Sequence, residues 1–480
     1  MASIKFNIIL NTLYQILTLV TPLITAPYIS RVIGADGIGI YSFTNSIQMY
    51  FAMFAALGTA SYGAREISMN RNDVVKRSKL FWEIELLTVL TTLFCVIGWG
   101  IWIYFNKQYV LLYSILTISL FSVMADVSWF YVGLEQFKYI VFQNAIFKFV
   151  GIVAIFAFVK TQNDLCFYVF SMVATVFLSN LSMWVYLPKF LMKVNFRELN
   201  ILRHFKETII YFIPTIATSI YTILDKTLIG IYSINGLENG YYEQTTKIIN
   251  MCKTLVFASV NTVLGSRIAY LFAENKTDEI KKKIEDSMDF ILFSGIGIAF
   301  GLYGVAEVFV PWFFGAGYEK VIVLLQLMCP IIVIIGISNC LGAQYYTPAG
   351  FRAVSARFLI VGAVVNLILN LCFIPSLGSI GAVIASLIAE SVITILYVKY
   401  SDCFMSIGFI LGSTWKRIVA GILMLLALDK VVLVSLVPLF QMLLKITFGS
   451  IVYLVVLAIL KDCMLSKLYG IAKNKVLRSV

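Results

Sequence analysis

Five charged residues interrupt otherwise apolar sequence in two neighbouring stretches, Asp225 and Lys226 in one and Glu243, Lys247 and Lys253 in the next. A charge at the centre of a bilayer costs about 2.5–3.5 kcal/mol on insertion scales, so each needs a partner, water or a ligand. Read as a helix at about 100° per residue, Glu243, Lys247, Asn250, Thr254 and Asn261 fall on one narrow face. Thr215, Ser219, Thr222 and Lys226 share a face of the preceding stretch, and Asn7, Asn11, Thr18, Thr21 and Thr25 one of the first. Single hydroxyl and amide side chains in such places commonly bond neighbouring helices. Five charges favour a hydrated cavity instead, with a cationic, hydrogen-bonding wall suited to an anionic polar ligand. Asp225 and Lys226 lie at a depth similar to Glu243 and Lys247 across one turn, so ion pairing over that turn is expected. Lys253 has no local partner, a vacancy that an anionic ligand could fill.

Other charges carry weaker signals. Arg31 and Arg65 close the ends of the first two apolar segments, where snorkelling to the interface is the simpler role. Asp126, Lys148, Arg267 and Glu390 either face the cavity or pair privately. Glu83 and Glu85 stand close to the basic 65–79 connection and are expected to form interfacial pairs. The eight cysteines are scattered singly and there is one histidine, His204, so buried apolar thiols are expected rather than a disulfide framework or metal site. No phosphate-binding glycine loop, glycine-framed ion filter, HExxH helix or serine elbow occurs. The chain is therefore expected to be no enzyme and to hold no cofactor. Energy is left to an ion gradient (H+ or Na+), membrane potential or consumption of product.

The elements that must position these residues are membrane helices. Apolar residues make up 60% of the 480 and charged ones 13%, with mean hydropathy +0.91; lipid is the solvent for most of the chain. About 20 apolar residues cross a bilayer core. Fourteen spans are expected, at 8–30, 38–62, 80–105, 109–133, 140–160, 164–188, 206–232, 240–270, 287–312, 319–343, 354–374, 379–400, 414–434 and 438–460. Alternate connections, counted from the amino terminus, hold 26 basic residues. The intervening ones hold 5: Arg31, Lys107, Lys160, Lys320 and Lys430. Basic residues are retained in the cytoplasm, which puts both termini inside. The net charge of +12 thus belongs to a membrane face and not to nucleic acid binding. Lys189 to Lys206 mixes aromatic, aliphatic and basic residues and reads as an amphipathic interfacial linker.

Arg31 to Ile47 (RVIGADGIGIYSFTNSI) and Thr227 to Ile248 (TLIGIYSINGLENGYYEQTTKI) share a helix end, a Gly-containing turn and a Gly-[Ile/Tyr]-Tyr restart. They fall six spans apart, so the repeats are parallel. The expected organisation is a six-helix half at 1–188, the linker at 189–205, a second six-helix half at 206–400, and an added helix pair with a tail at 401–480. Two facing halves suit alternating access around a cavity at their interface.

The segments 27–43 (PYISRVIGADGIGIYSF), 63–67 (GAREI), 126–138 (DVSWFYVGLEQFK), 221–230 (YTILDKTLIG) and 240–248 (GYYEQTTKI) together resemble the Wzx-type polysaccharide flippases. That family lies in the MOP superfamily beside the MurJ-type lipid II flippases and the MATE exporters. The resemblance implies a flippase moving an undecaprenyl-diphosphate-linked oligosaccharide from the inner to the outer leaflet of the bacterial plasma membrane, for O-antigen, capsule or a related polymer. It implies cavity roles for Arg31, Arg65, Asp225, Lys226, Glu243 and Lys247, and membrane lipids, a polymerase and assembly proteins as partners. Twelve spans are commoner in that family; a thirteenth and fourteenth are a MurJ-type trait. A lipid II flippase is the alternative. A drug exporter would need one dominant buried carboxylate, and a membrane glycosyltransferase or polymerase a long outer loop or soluble domain, which the sequence does not offer.

Overall fold

The computed structural model describes residues 4–274, 276–401, 404–430 and 437–470, with the side chains at 4–16, 19, 214–215, 217–221, 258–267, 269 and 273 outside the described set. All the regular structure among these residues is helical. Among the described residues, ten helical segments are long and apolar enough to cross a membrane. Four further long helices are Ile4–Val32, Gly34–Ala56, Phe205–Tyr232 and Leu237–Ala273. The total is consistent with fourteen spans, and these four include the three polar stripes read from the sequence. Leu237–Ala273 and Thr277–Phe314 run 37 and 38 residues, well beyond the roughly 20 that a bilayer core requires.

The chain packs as two compact units, Met1–Gly240 and Tyr241–Val480. Phe205–Tyr232 packs on Gly34–Ala56 and Thr59–Met69, and so belongs with the first unit. The division by packing thus falls at Gly240, whereas the division expected from the sequence repeat falls at 189–205. That segment follows the 3-10 turn Trp184–Lys189 and contains two more, Phe196–Glu198 and Ile201–His204. Phe196 and Leu202 are exposed along it.

Two of the quoted motifs form one packing unit. Gly63, in the helix Thr59–Met69, lies so close to the Trp129 ring that a Cβ would come within 2.4 Å of it. A Cβ on Gly133, which ends the short helix Ser128–Gly133, would come within 2.7 Å of Ile67 and 2.8 Å of the Ala64 carbonyl oxygen. Arg71 and Glu135 join the same pair of segments at 3.1 Å. Phe81 stacks on Trp129 with ring centroids 5.6 Å apart, extending the contact into the helix Val74–Phe105. Aromatic packing at this end of the first unit fixes where Asp126 and the linker stand.

Candidate functional site

The two copies of the repeated turn lie against each other within the first unit. The Gly236 N–H donates to Asp36 Oδ1 at 2.8 Å. A Cβ on Gly39 would lie 1.7 Å from the Gly236 carbonyl oxygen, and one on Gly240 would lie 2.0 Å from the Ala35 oxygen. Only glycine lets these backbones approach so closely. Asn239, fully buried, donates from Nδ2 to the Lys226 carbonyl at 2.7 Å. Its Oδ1 lies 3.5 Å from Ser42 Oγ. Gly230 is packed under the Phe43 ring. The motif that marks the repeat in sequence is thus, in space, an interlock of one copy with the other.

The predicted charged residues fall in both units. Asp225 is 3% exposed and lies within electrostatic reach of the Tyr50 phenol. Lys226 is half-buried one residue on. Glu243 and Lys247 pair with each other one turn apart on Leu237–Ala273, at 3.4 Å. Asn250 is exposed on the same helix, and its carbonyl accepts from Thr254 Oγ1 at 2.8 Å. Lys253, which has no local partner in the sequence, has a distant one in electrostatic reach, Glu390 of the helix Ser379–Lys399, 137 positions later in the chain. Lys148 donates to Thr18 Oγ1 at 2.7 Å, which joins two residues of the sequence-derived set across Ile4–Val32 and Phe137–Phe158. Arg31 is exposed. Arg65 reaches the Tyr211 hydroxyl at 3.1 Å, with Glu66 at 3.8 Å. The side chains of Arg267, Asn7, Asn11, Thr215, Ser219 and Asn261 lie outside the described residues.

Glu83 and Glu85 depart from the expected interfacial pairing with the 65–79 connection. Glu83 is buried and held by the linker: Asn200 N–H donates to Oε1 at 2.8 Å, His204 Nε2 lies 2.9 Å from Oε2, and Arg203 bonds the same oxygen. Tyr62 OH completes the chain at 2.7 Å from His204 Nδ1. Glu85 is 1% exposed and neither of its oxygens has a hydrogen-bond partner among the described residues. The physical reason is helical phase. Two residues apart place the carboxyls roughly 200° apart, so Glu83 turns to the linker and Glu85 into the unit. Near it is a largely apolar cavity of about 380 Å³ into which Asn45, Thr59, Thr88, Ser122, Asp126 and Asn180 bring polar groups.

A family model described as "Polysaccharide biosynthesis protein" matches residues 4–265. A protein of Escherichia coli K12 named "Putative O-antigen transporter" is 23% identical over 406 residues, covering 83% of this chain and 96% of that protein. The Haloferax volcanii protein "Probable low-salt glycan biosynthesis flippase Agl15" is 25% identical over 249 residues, about half of each chain (50% and 51%). Among solved structures, "Lipid II flippase MurJ, inward closed conformation" has the same fold, with TM-score 0.75 at 17% identity over 95% of this chain and 98% of that one. An inward-facing MATE family multidrug transporter of the MOP superfamily has TM-score 0.62 at 12% identity over 87% and 96%.

Proposed function

Because the chain belongs to the polysaccharide biosynthesis protein family, we propose that it is a flippase for a lipid-linked oligosaccharide. The substrate is an undecaprenyl-diphosphate-linked repeat unit, carried from the inner to the outer leaflet of the bacterial plasma membrane by alternating access. Both termini lie in the cytoplasm, in keeping with the 26-to-5 division of basic residues. The observation that carries this reading is the charge on the helix Leu237–Ala273, where Glu243, Lys247 and Asn250 share one face and Lys253 follows within electrostatic reach of Glu390. A diphosphate needs cationic donors, and sugars need hydrogen-bonding groups. The polyprenyl tail needs neither and stays in lipid. Lys247 and Lys253 meet the diphosphate, while Glu243 and Glu390 hold those ammonium groups in place between cycles. The interlocked turns at Gly39 and Gly236 close the outer end, and their parting opens it. A gradient of H+ or Na+ supplies the energy.

The test is surface polysaccharide in cells carrying Lys226→Ala, Lys247→Ala or Lys253→Ala, with the amount of membrane-inserted protein measured in parallel. Loss of a charge-assisted contact of about 1.5–3 kcal/mol predicts a fall of roughly tenfold or more. Undiminished polysaccharide in all three variants contradicts a charged substrate wall. The lipid II alternative is favoured by the added helices Ile407–Asp429 and Pro438–Ile459. Rescue of a strain depleted of its own lipid II flippase would select it; failure at normal expression would remove it.

A further inference from the structure

The helix Val74–Phe105 carries a column of buried polar side chains that the charged face of Leu237–Ala273 does not use. Glu85, Thr88 and Thr92 follow one another at spacings of three and four, so they share a face. They are 1%, 3% and 0% exposed. Thr88 is bonded to Thr59 Oγ1 at 3.0 Å and lines the cavity. Both Glu85 oxygens and the Thr92 hydroxyl lack hydrogen-bond partners among the described residues. The two groups closest to Glu85 electrostatically are Asp126 and Trp129, which both line the cavity. Among the described residues the Trp129 indole is the one donor beside Glu85, and the contact falls short of a formed hydrogen bond. Asp126 has its Oδ1 occupied by the Ser128 N–H at 2.9 Å.

Charged groups on the surrounding elements are committed elsewhere. Arg203 and His204 of the linker meet Glu83 on the opposite side of the helix. Arg65 of Thr59–Met69 meets Tyr211 and Glu66. From Gly34–Ala56 the cavity receives the Tyr41 hydroxyl and the neutral Asn45 amide. A buried carboxylate with no cation and no formed hydrogen bond is costly, and a second carboxyl beside it adds repulsion. One proton relieves both, because the carboxylic acid is neutral and can itself donate.

We propose that Glu85, with Asp126, is a proton-exchange site in the first unit, separate from the charged face of Leu237–Ala273. A proton from the aqueous phase enters through the cavity and binds a Glu85 oxygen. It leaves by the same oxygen when the site is exposed to the less acidic side. Asp126 is the positioning residue: it lies toward the cavity and its charge favours uptake by Glu85. Coupling of this exchange to export rests on the flippase reading above, whereas the existence of the site does not.

The experiment uses the purified full chain and dicyclohexylcarbodiimide, which reacts with protonated carboxyls in apolar surroundings, with the modified peptide read by mass spectrometry. Glu85 should be labelled at pH 6 and lose the label by pH 9. Glu85→Gln should carry none, and Asp126→Asn should be labelled less than wild type at pH 7, since a like charge has gone. A Glu85 that is unreactive throughout, or equally reactive at pH 6 and 9, overturns the site. Surface polysaccharide is the second readout: Glu85→Gln should abolish it and Glu85→Asp retain it, at equal membrane-inserted protein. Full polysaccharide in Glu85→Gln overturns the coupling. Should the lysine variants also leave polysaccharide unchanged, the flippase reading falls while the labelling result stands.

Discussion

Arg417 is 1% exposed, and its guanidinium is shared by two carboxylates that are almost as buried. Nη2 donates to Asp289 Oδ1 at 2.6 Å, Nη1 to the Asp289 carbonyl at 2.9 Å, and Nε to Asp462 Oδ2 at 3.1 Å. Asp462 Oδ1 also accepts from the Met464 and Leu465 amides at 3.0 and 3.1 Å. Removing one member of such a cluster strands the others, at about 3–5 kcal/mol. Arg417→Ala should therefore lower the thermal unfolding midpoint of the purified protein well below that of Arg417→Lys. Equal midpoints for wild type and Arg417→Ala would refute a structural role. In sequence Arg417 reads as one more basic residue of an inner connection beside Lys416, because its partners lie 128 and 45 residues away. Glu85 reads as interfacial in the sequence for a similar reason. A carboxylate near a basic loop looks interfacial until the phase of its helix is known. Lys247 and Glu243 were legible because their relation is local, one turn apart.

At the scale of elements, the repeated turn was legible as a repeat while its partner was not. The glycines at 39, 236 and 240 resemble ordinary turn residues in the sequence; in the fold they let two backbones touch where any Cβ would collide. Small residues at close helix crossings are a general means of membrane packing, but sequence alone does not say which small residue meets which. The contact predicts a cross-link. With Ser42 Oγ and Asn239 Oδ1 3.5 Å apart, Ser42→Cys with Asn239→Cys in a cysteine-free background should oxidise readily to a disulfide. If parting of these turns opens the outer end, the oxidised protein should lose export and regain it on reduction. Export unchanged in fully cross-linked protein would remove these turns from the transport cycle. The linker between the repeats was legible as amphipathic. Its anchoring through Glu83, Arg203 and His204 was not, since Glu83 and Asn200 stand 117 positions apart.

At the scale of the molecule, the strongest sequence signals are those averaged over many residues. Hydropathy gives membrane helices, and among the described residues ten of them stand out by length and composition alone. The same averaging hides individual contacts: Lys253 has no local partner in the sequence, and its electrostatic neighbour Glu390 lies far along the chain. The measurement that tests the flippase account most directly is the location of the lipid-linked oligosaccharide in cells from which this chain has been deleted, and in the same cells carrying it again. The account predicts that surface polysaccharide disappears on deletion, that the lipid-linked unit accumulates in the cytoplasmic leaflet, and that both return to normal with the wild-type chain but not with Lys253→Ala. Deletion that leaves surface polysaccharide intact and accumulates no lipid-linked unit would contradict it.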